Sequence, residues 1–177
     1  MREDRWTAAA VEHDEAVRAF LDAMALVPAD AWQRPRAPGK WSPAALALHV
    51  CRAYEFGREA VTTGAAMRLK VPPAAAWVSR VAILPILLAL DRFPTGADAP
   101  GEVLPDLDEA ARLTPSLLAT RLQATAGEAL TLLRDTARTR PSSRCTHAYF
   151  GPLRPLTTIR LLSSHTRHHA KGLLRTH

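Results

Sequence analysis

The chain has 177 residues, of which 47% are hydrophobic and 23% charged, which indicates one soluble globular domain over residues 1–177 and excludes a disordered or collagen-like protein. Its formal net charge is +6, but the 20 arginines and 3 lysines form no basic run with interleaved aromatics, so we predict no specific nucleic-acid surface. Cys51 and Cys145 lack metal-site or disulfide-framework spacing and fit reduced thiols in a cytoplasmic protein.

The first predicted helix spans residues 4–27 and ends at Pro28. Its first residues are acidic and polar, which excludes a secretory signal there. Apolar residues recur at helical spacing, among them Trp6, Val17 and Phe20. His13 lies on the same face, where a hydrogen-bonded packing residue is the favoured interpretation and metal ligation the alternative.

The second predicted helix spans residues 42–62, because Ser42 followed by Pro43 is a typical start signal for a helix. His49 falls on its apolar stripe, between Leu46 and Ala53. A buried histidine must be hydrogen-bonded or bound to a metal, because an unpaired buried nitrogen costs about 1–3 kcal/mol. Spacing alone leaves both possibilities open.

Residues 64–113 form the least regular part, with one short apolar helix predicted over residues 76–90. We expect it to cover one end of the molecule or to contact a second subunit in a homodimer. The apolar segment 74–90 is shorter than a bilayer crossing requires and contains Arg80 and Pro85, so we predict no membrane partner.

Two further helices are predicted, over residues 114–138 and 155–175, with a loop over residues 141–154 between them. Thr114 followed by Pro115 repeats the start signal of the second helix. The fold class is therefore all-α: a four-helix bundle of the up-down-down-up type, with an extra short helix in the long connection between helices two and three.

The last helix carries the run His165-Thr166-Arg167-His168-His169. Histidines three or four residues apart lie on one side of a helix and can point at a common metal ion. His165 and His169 follow the apolar stripe, whereas His168 is turned by about 100° from His169. The alternative is a solvated helix end, since cationic residues suit the last turn.

Four segments resemble the DinB-like superfamily. Gly39-Lys-Trp-Ser-Pro-Ala-Ala-Leu-Ala-Leu-His49 is similar to its second-helix signature, in which the helix carries the first metal-binding histidine. The run 165–169 resembles its fourth-helix HxxxH motif, and segments 92–105 and 146–153 resemble linkers of one branch. The resemblance implies metal ligands His49, His165 and His169, with Zn²⁺ or Ni²⁺ as the cofactor.

The resemblance also implies an activity on small molecules: a metal-dependent hydrolase, or a transferase or isomerase that uses a low-molecular-weight thiol of the bacillithiol or mycothiol type. Many relatives have Gln three residues after the last histidine, where this chain has Gly172, which leaves Lys171 or Arg167 as possible substitutes. His147 and Arg167 are further catalytic candidates. The alternatives are a non-catalytic metal-binding bundle, and a metal-free helical module that binds nucleic acid or a protein through its basic surface.

Overall fold

The computed structural model of the protein describes residues 2–90, 93 and 98–174 and confirms the all-α prediction. The four long helices begin and end within two residues of their predicted bounds. Arg175, the predicted end of the last helix, lies outside the described residues, as do residues 91, 92 and 94–97 of the linker. The helices are α1 (Arg2–Ala25), α2 (Pro43–Thr62), α3 (Pro73–Val78), α4 (Leu84–Leu90), α5 (Leu107–Arg112), α6 (Pro115–Thr139) and α7 (Pro155–Leu174).

Both proline-containing start signals work as predicted. The Ser42 side chain accepts a hydrogen bond from the Ala45 N–H at 3.2 Å, and Thr114 accepts one from the Leu117 N–H at 3.3 Å. Each bond satisfies a first-turn N–H group that has no partner within its helix. The starts of α2 and α6 are therefore fixed by local chemistry.

Side-chain contacts give the direction of each helix in the bundle. Along α2 and α6, Cys51 contacts Leu118, and Arg58 pairs with Glu128 further on, so these helices run parallel. Trp32, after α1, donates to the Leu113 carbonyl at 2.9 Å, and Glu3 pairs with Arg134. Helix α1 therefore runs antiparallel to α6.

Helix α7 runs antiparallel to α2. His49, near the start of α2, meets His165 and His169 towards the end of α7, while Gly57 faces the Leu162 side chain. The predicted up-down-down-up order is confirmed. Two parallel neighbours cannot be joined by a tight turn, which explains the long connection between α2 and α6.

The core is formed by the inward faces of the four long helices. Helix α2 is the most deeply enclosed, with every residue from Pro43 to Cys51 buried. The largest fully buried apolar side chains include Phe20, Leu48, Leu118, Leu122, Leu133 and Ile159.

The predicted loop 141–154 contains a small β-hairpin, and this part of the prediction was wrong. Strands β1 (Cys145–His147) and β2 (Gly151–Leu153) pair antiparallel, with Cys145 opposite Leu153. Three-residue strands are too short for the alternation of apolar and polar residues that signals a strand. Gly151 adopts φ 64°, a backbone conformation that favours glycine.

The predicted short helix 76–90 is present as α3, a π-helical segment Ser79–Ile83, and α4. Leu84 and Leu87 pack against Phe150, Leu153 and Leu161 of the hairpin and α7. Its outer face is apolar and exposed, with Trp77 and Ile86 at 56% and 60% exposure. A dimer contact through this face stays a prediction.

Residues 73–90 have a mean hydropathy of 1.8, and by length and composition alone this helix qualifies as a membrane span. One such helix is weak support for a membrane protein. Here the segment packs along one side of the bundle, and the Arg80 guanidinium donates to the Pro152 carbonyl at 3.0 Å.

An ion-pair network ties α5 to α2 and α6. Arg121 on α6 bonds Glu109 on α5 at 2.6 Å and Glu55 on α2 at 2.6 and 3.0 Å. Arg52 on α2 bonds Glu109 at 2.9 Å. The hydrogen bonds from Arg121 and then Arg52 hold the pKa of Glu109 below its usual value of 4.5.

We expect Glu109→Gln to lower the free energy of unfolding by about 1 kcal/mol at pH 7, because its partners are only partly shielded from water. A lowered pKa means that the carboxylate stabilises the fold above pH 4.5, and that this contribution fades as the pH falls below that value. Urea unfolding at pH 7 and at lower pH tests this. Glu15→Gln, on the exposed face of α1, should change stability little at either pH. If Glu109→Gln lowered the free energy of unfolding more at low pH than at pH 7, the assignment would be contradicted.

Candidate metal centre

The structure brings together the three histidines predicted as ligands. His165 Nε2 lies 3.1 Å from His49 Nε2 and 3.0 Å from His169 Nε2. One ligand atom of each of the three residues lies within 4.8 Å of the others. The antiparallel contact of α2 and α7 causes this convergence, because it places the start of one helix beside the end of the other.

His49 is held in one orientation by the backbone of the connection. Its Nδ1–H donates to the Val103 carbonyl at 2.8 Å, so the lone pair of a neutral imidazole is on Nε2 and faces the other two histidines. Burial lowers the pKa of His49, which keeps the ring neutral near pH 7. A hydrogen bond of this kind at the second ring nitrogen is typical of metal-binding histidines.

His165 and His169 lie one helical turn apart and their rings meet edge to face, with centroids 4.4 Å apart. Burial is the main cause that lowers the pKa of each of these imidazoles. Three nitrogens around a tetrahedral metal at about 2.0–2.1 Å would be separated by about 3.3 Å. The spacing in the cluster fits that geometry, so the three histidines can hold a metal ion.

His168 is outside this cluster, as its position on the helix predicts. Its ring contacts Phe93 at 5.3 Å and the ring of His169 at 5.1 Å. It is half-buried at the wall of the cavity described next, and thus less outward-facing than expected. The close pair on α7 is therefore His165 with His169.

The histidine cluster opens into a cavity of about 450 Å³. Its walls come from α2, from the long connection between α2 and α6 including the α3–α4 segment, from the hairpin and from α7. Most of the lining side chains are apolar, including Phe56, Met67, Ile83, Leu87, Phe93, Val103, Phe150 and Leu162. A largely apolar cavity with a few convergent polar groups is the usual form of a small-molecule site.

A family comparison agrees with the geometry. A sequence model of the DinB superfamily matches residues 12–172, which is most of the chain. The chain belongs to the DinB superfamily. No curated protein and no solved structure matches it significantly. The matched region contains all three clustered histidines, His147 and the whole wall of the cavity.

His147 also lines the cavity into which the histidine cluster opens. Its Nδ1 accepts the Tyr149 N–H at 3.2 Å, so the proton of the neutral ring is on Nε2. The ring stacks on Phe150 with centroids 4.9 Å apart, and burial lowers its pKa to about 4. His147 is thus a neutral hydrogen-bond donor near pH 7 and a poor proton acceptor.

The other candidates lie away from the cavity. Arg167 faces α1, where its guanidinium donates to the Glu12 carbonyl at 3.0 Å, because two residues along a helix turn it away from His165. Lys171 is exposed, and a Cβ at Gly172 would meet open space. His13 is buried, its Nδ1 bonds Asp14 at 2.9 Å, and its ring meets the edge of the Tyr54 ring, while its Nε2 has no hydrogen-bond partner among the described residues.

Sequence reasoning missed two groups that contact or influence the histidine cluster. The Val103 carbonyl that orients His49 is a backbone atom in an irregular segment, so no side-chain pattern marks it. Arg36, in the loop before α2, donates to the Gly172 carbonyl at 2.8 Å, and its charge contributes to the lowered pKa of His169. The Trp41 ring, 4.9 Å from His49, was within the recognised second-helix signature.

The position of α7 on α2 is set by a buried hydrogen bond close to the cluster. Tyr54 and Thr166 are fully buried and their hydroxyl oxygens are 3.1 Å apart. Thr166 also donates to the Leu162 carbonyl at 2.8 Å. Since this uses its only hydroxyl hydrogen, Tyr54 donates to Thr166.

We expect Tyr54→Phe to lower the free energy of unfolding by about 1 kcal/mol, because one buried hydrogen bond is lost while the ring packing stays. Urea unfolding measures this difference. Tyr149→Phe is the matched control, because its hydroxyl donates to the Asp98 carbonyl at 2.7 Å in an exposed position. If both variants lost the same stability, the positioning role of Tyr54 would be wrong.

Proposed function

We propose that the protein is a metal-dependent enzyme that transfers a low-molecular-weight thiol to a small, largely apolar substrate in the cytoplasm. The proposal rests on one observation above all: three imidazole nitrogens converge at the end of an apolar cavity. Membership of the DinB superfamily supports it.

His49, His165 and His169 are the residues that would hold the cation, and a three-nitrogen set suits Zn²⁺ or Ni²⁺. The hydrogen bond from His49 Nδ1 to Val103 orients the first ligand, and the helical spacing of His165 and His169 orients the other two. A divalent cation held there would supply a Lewis acid that lowers the pKa of a thiol or a water molecule brought to it.

A thiol is the more accessible nucleophile in this cavity. Its usual pKa is about 8.5, so a small decrease makes it a thiolate near pH 7. The pKa of water must fall much further, from about 15.7, and the attack of water normally needs a general base. His147 is a poor base, because burial lowers its pKa to about 4. Thiol transfer therefore requires a smaller change in the pKa of the nucleophile than hydrolysis does, and it does not depend on a general base.

The residues that line the cavity also favour an apolar substrate whose reacting carbon has one polarised bond. The His147 Nε2–H is available to donate to an oxygen or a leaving group, since Nδ1 is held by the Tyr149 N–H. The apolar walls exclude water, which strengthens such a hydrogen bond. In the proposed reaction the thiol releases its proton to solvent and the sulfur forms a bond to the electrophilic carbon. The bond from that carbon to the leaving group breaks, and the leaving group departs with the electron pair.

The ligand set predicts metal content. Untagged protein should contain close to one equivalent of zinc or nickel by elemental mass spectrometry. His49→Ala, His165→Ala and His169→Ala should each lose the metal, because two imidazoles bind it far more weakly. His168→Ala is the matched control and should keep it. A metal-free native protein, or equal depletion in His168→Ala, would refute this ligand set.

The reaction predicts a thiol-dependent product. With 1-chloro-2,4-dinitrobenzene and a small thiol, the metal-loaded protein should form the aryl thioether, followed by absorbance, and His165→Ala should not. His147→Phe should keep its metal and its ring stacking, yet react about tenfold or more slowly for lack of the donor. A phenol formed without thiol would indicate a hydrolase instead. No product from metal-loaded protein across a panel of thiols and electrophiles would favour a non-catalytic bundle.

A further inference from the structure

A second concavity, of about 650 Å³, lies on the other flank of the α3–α4 segment. Ser79, Ile83 and Leu87 face the histidine cavity, whereas Arg80, Leu84 and Leu88 face this second groove. The helical segment is therefore a wall between two separate sites. We call the second one the arginine groove, after four of its lining residues: Arg80, Arg144, Arg154 and Arg160.

The four arginines come from different parts of the chain. Arg80 is in the π-helical segment, Arg144 precedes β1, Arg154 lies between β2 and α7, and Arg160 is on α7. They are brought together only by the fold, so no sequence run reveals them. This explains why the sequence shows scattered charge with no basic patch.

Among the residues that the structure describes, one of the four arginines has a carboxylate partner: Arg160 pairs with Glu12 at 3.3 Å. Arg80 donates to the Pro152 carbonyl at 3.0 Å, and Arg144 donates to backbone carbonyls, including that of Ser143 at 2.7 Å. Such bonds fix a guanidinium in place without neutralising it. Within the described part of the chain, Arg154 has no side-chain partner and no acidic residue lines the groove.

Cations held together in a concave site repel one another and create a positive potential that an anion relieves. Guanidinium groups bind phosphate and carboxylate oxygens with paired hydrogen bonds. A phosphate monoester carries about −1.5 to −2 charges at pH 7, which suits several arginines better than a monoanion does. The phosphate ester is therefore the better match.

The floor of the groove sets a second requirement. Leu84, Pro85, Leu88 and Leu153 line it beside the arginines. A bare inorganic ion would leave this apolar surface in water, whereas a ligand with an apolar portion would cover it. The complementary ligand has a charged end and an apolar body.

We propose that the arginine groove is a binding site for a small phosphate monoester with an apolar moiety. The site is separate from the histidine cavity and does not depend on metal binding there. Arg144 and Arg154 are the informative residues, because both are exposed and neither forms an ion pair in the described structure. Their removal should therefore leave the fold intact.

The test is isothermal titration of the full chain with phenyl phosphate at low salt, with inorganic phosphate and phenol as partial ligands. We expect phenyl phosphate to bind more tightly than either, and binding to weaken as salt is added. Arg144→Ala/Arg154→Ala should weaken it at least tenfold, as expected for loss of hydrogen bonds to a charged group. Arg5→Ala/Arg18→Ala is the charge-matched control from the exposed face of α1, and should bind like the native chain.

Further arms of the experiment identify the site. His49→Ala should bind phenyl phosphate unchanged, and loss of binding in this variant would place the anion at the histidine cluster instead. No binding at millimolar phenyl phosphate, or equal weakening in both double arginine variants, would overturn the proposal. So would binding only to phosphatidylglycerol vesicles, which would make the groove part of a membrane-facing surface.

Discussion

The close antiparallel contact between α2 and α7 is the constraint on which the site depends. Glycine at position 57 permits it, since a Cβ there would lie 3.1 Å from the Leu162 side chain. The Tyr54–Thr166 hydrogen bond then fixes how far one helix slides along the other. A slide of one turn, about 5.4 Å, would leave His49 beside at most one of its two partners, because these are themselves one turn apart on α7. The same contact therefore supports the core and aligns the imidazoles.

The long connection between α2 and α6 serves both topology and chemistry. It exists because parallel neighbours need a crossover, yet the Val103 carbonyl within it selects the tautomer of His49. Its apolar helix forms the wall that divides the cavity from the arginine groove. The packing of α7 on α2 thus brings the histidines together, and the crossover forms part of the cavity wall around them.

Much of the fold could be predicted from the sequence, because local signals mark each long helix. Ser42 and Thr114, each followed by proline, locate two helix starts, and periodic apolar residues locate the rest. The positions of His49, His165 and His169 on apolar stripes, together with the family resemblance, were enough to predict that these three residues form one cluster.

The remaining features depend on contacts between distant segments. Strands of three residues, such as Cys145–His147, carry no readable pattern until they pair. Arg167 follows the same histidine motif but turns towards α1, which only the packing of α7 decides. The arginine groove gathers residues 80 to 160 from separate elements, so its charge is invisible along the chain.

The π-helical segment Ser79–Ile83 has an implication for the length of the chain. Its Leu84 N–H bonds back to the Ser79 carbonyl, five residues earlier, so the segment holds one residue more than an α-helical turn. Deletion of one residue there would give regular α-helical hydrogen bonding, because the π-helical turn is one residue longer than the α-helical turn that it replaces. Ser79 lines the histidine cavity and Arg80 lines the arginine groove, so this widened turn is part of the wall of both. A single-residue deletion in this segment would therefore change the shape of both sites at once.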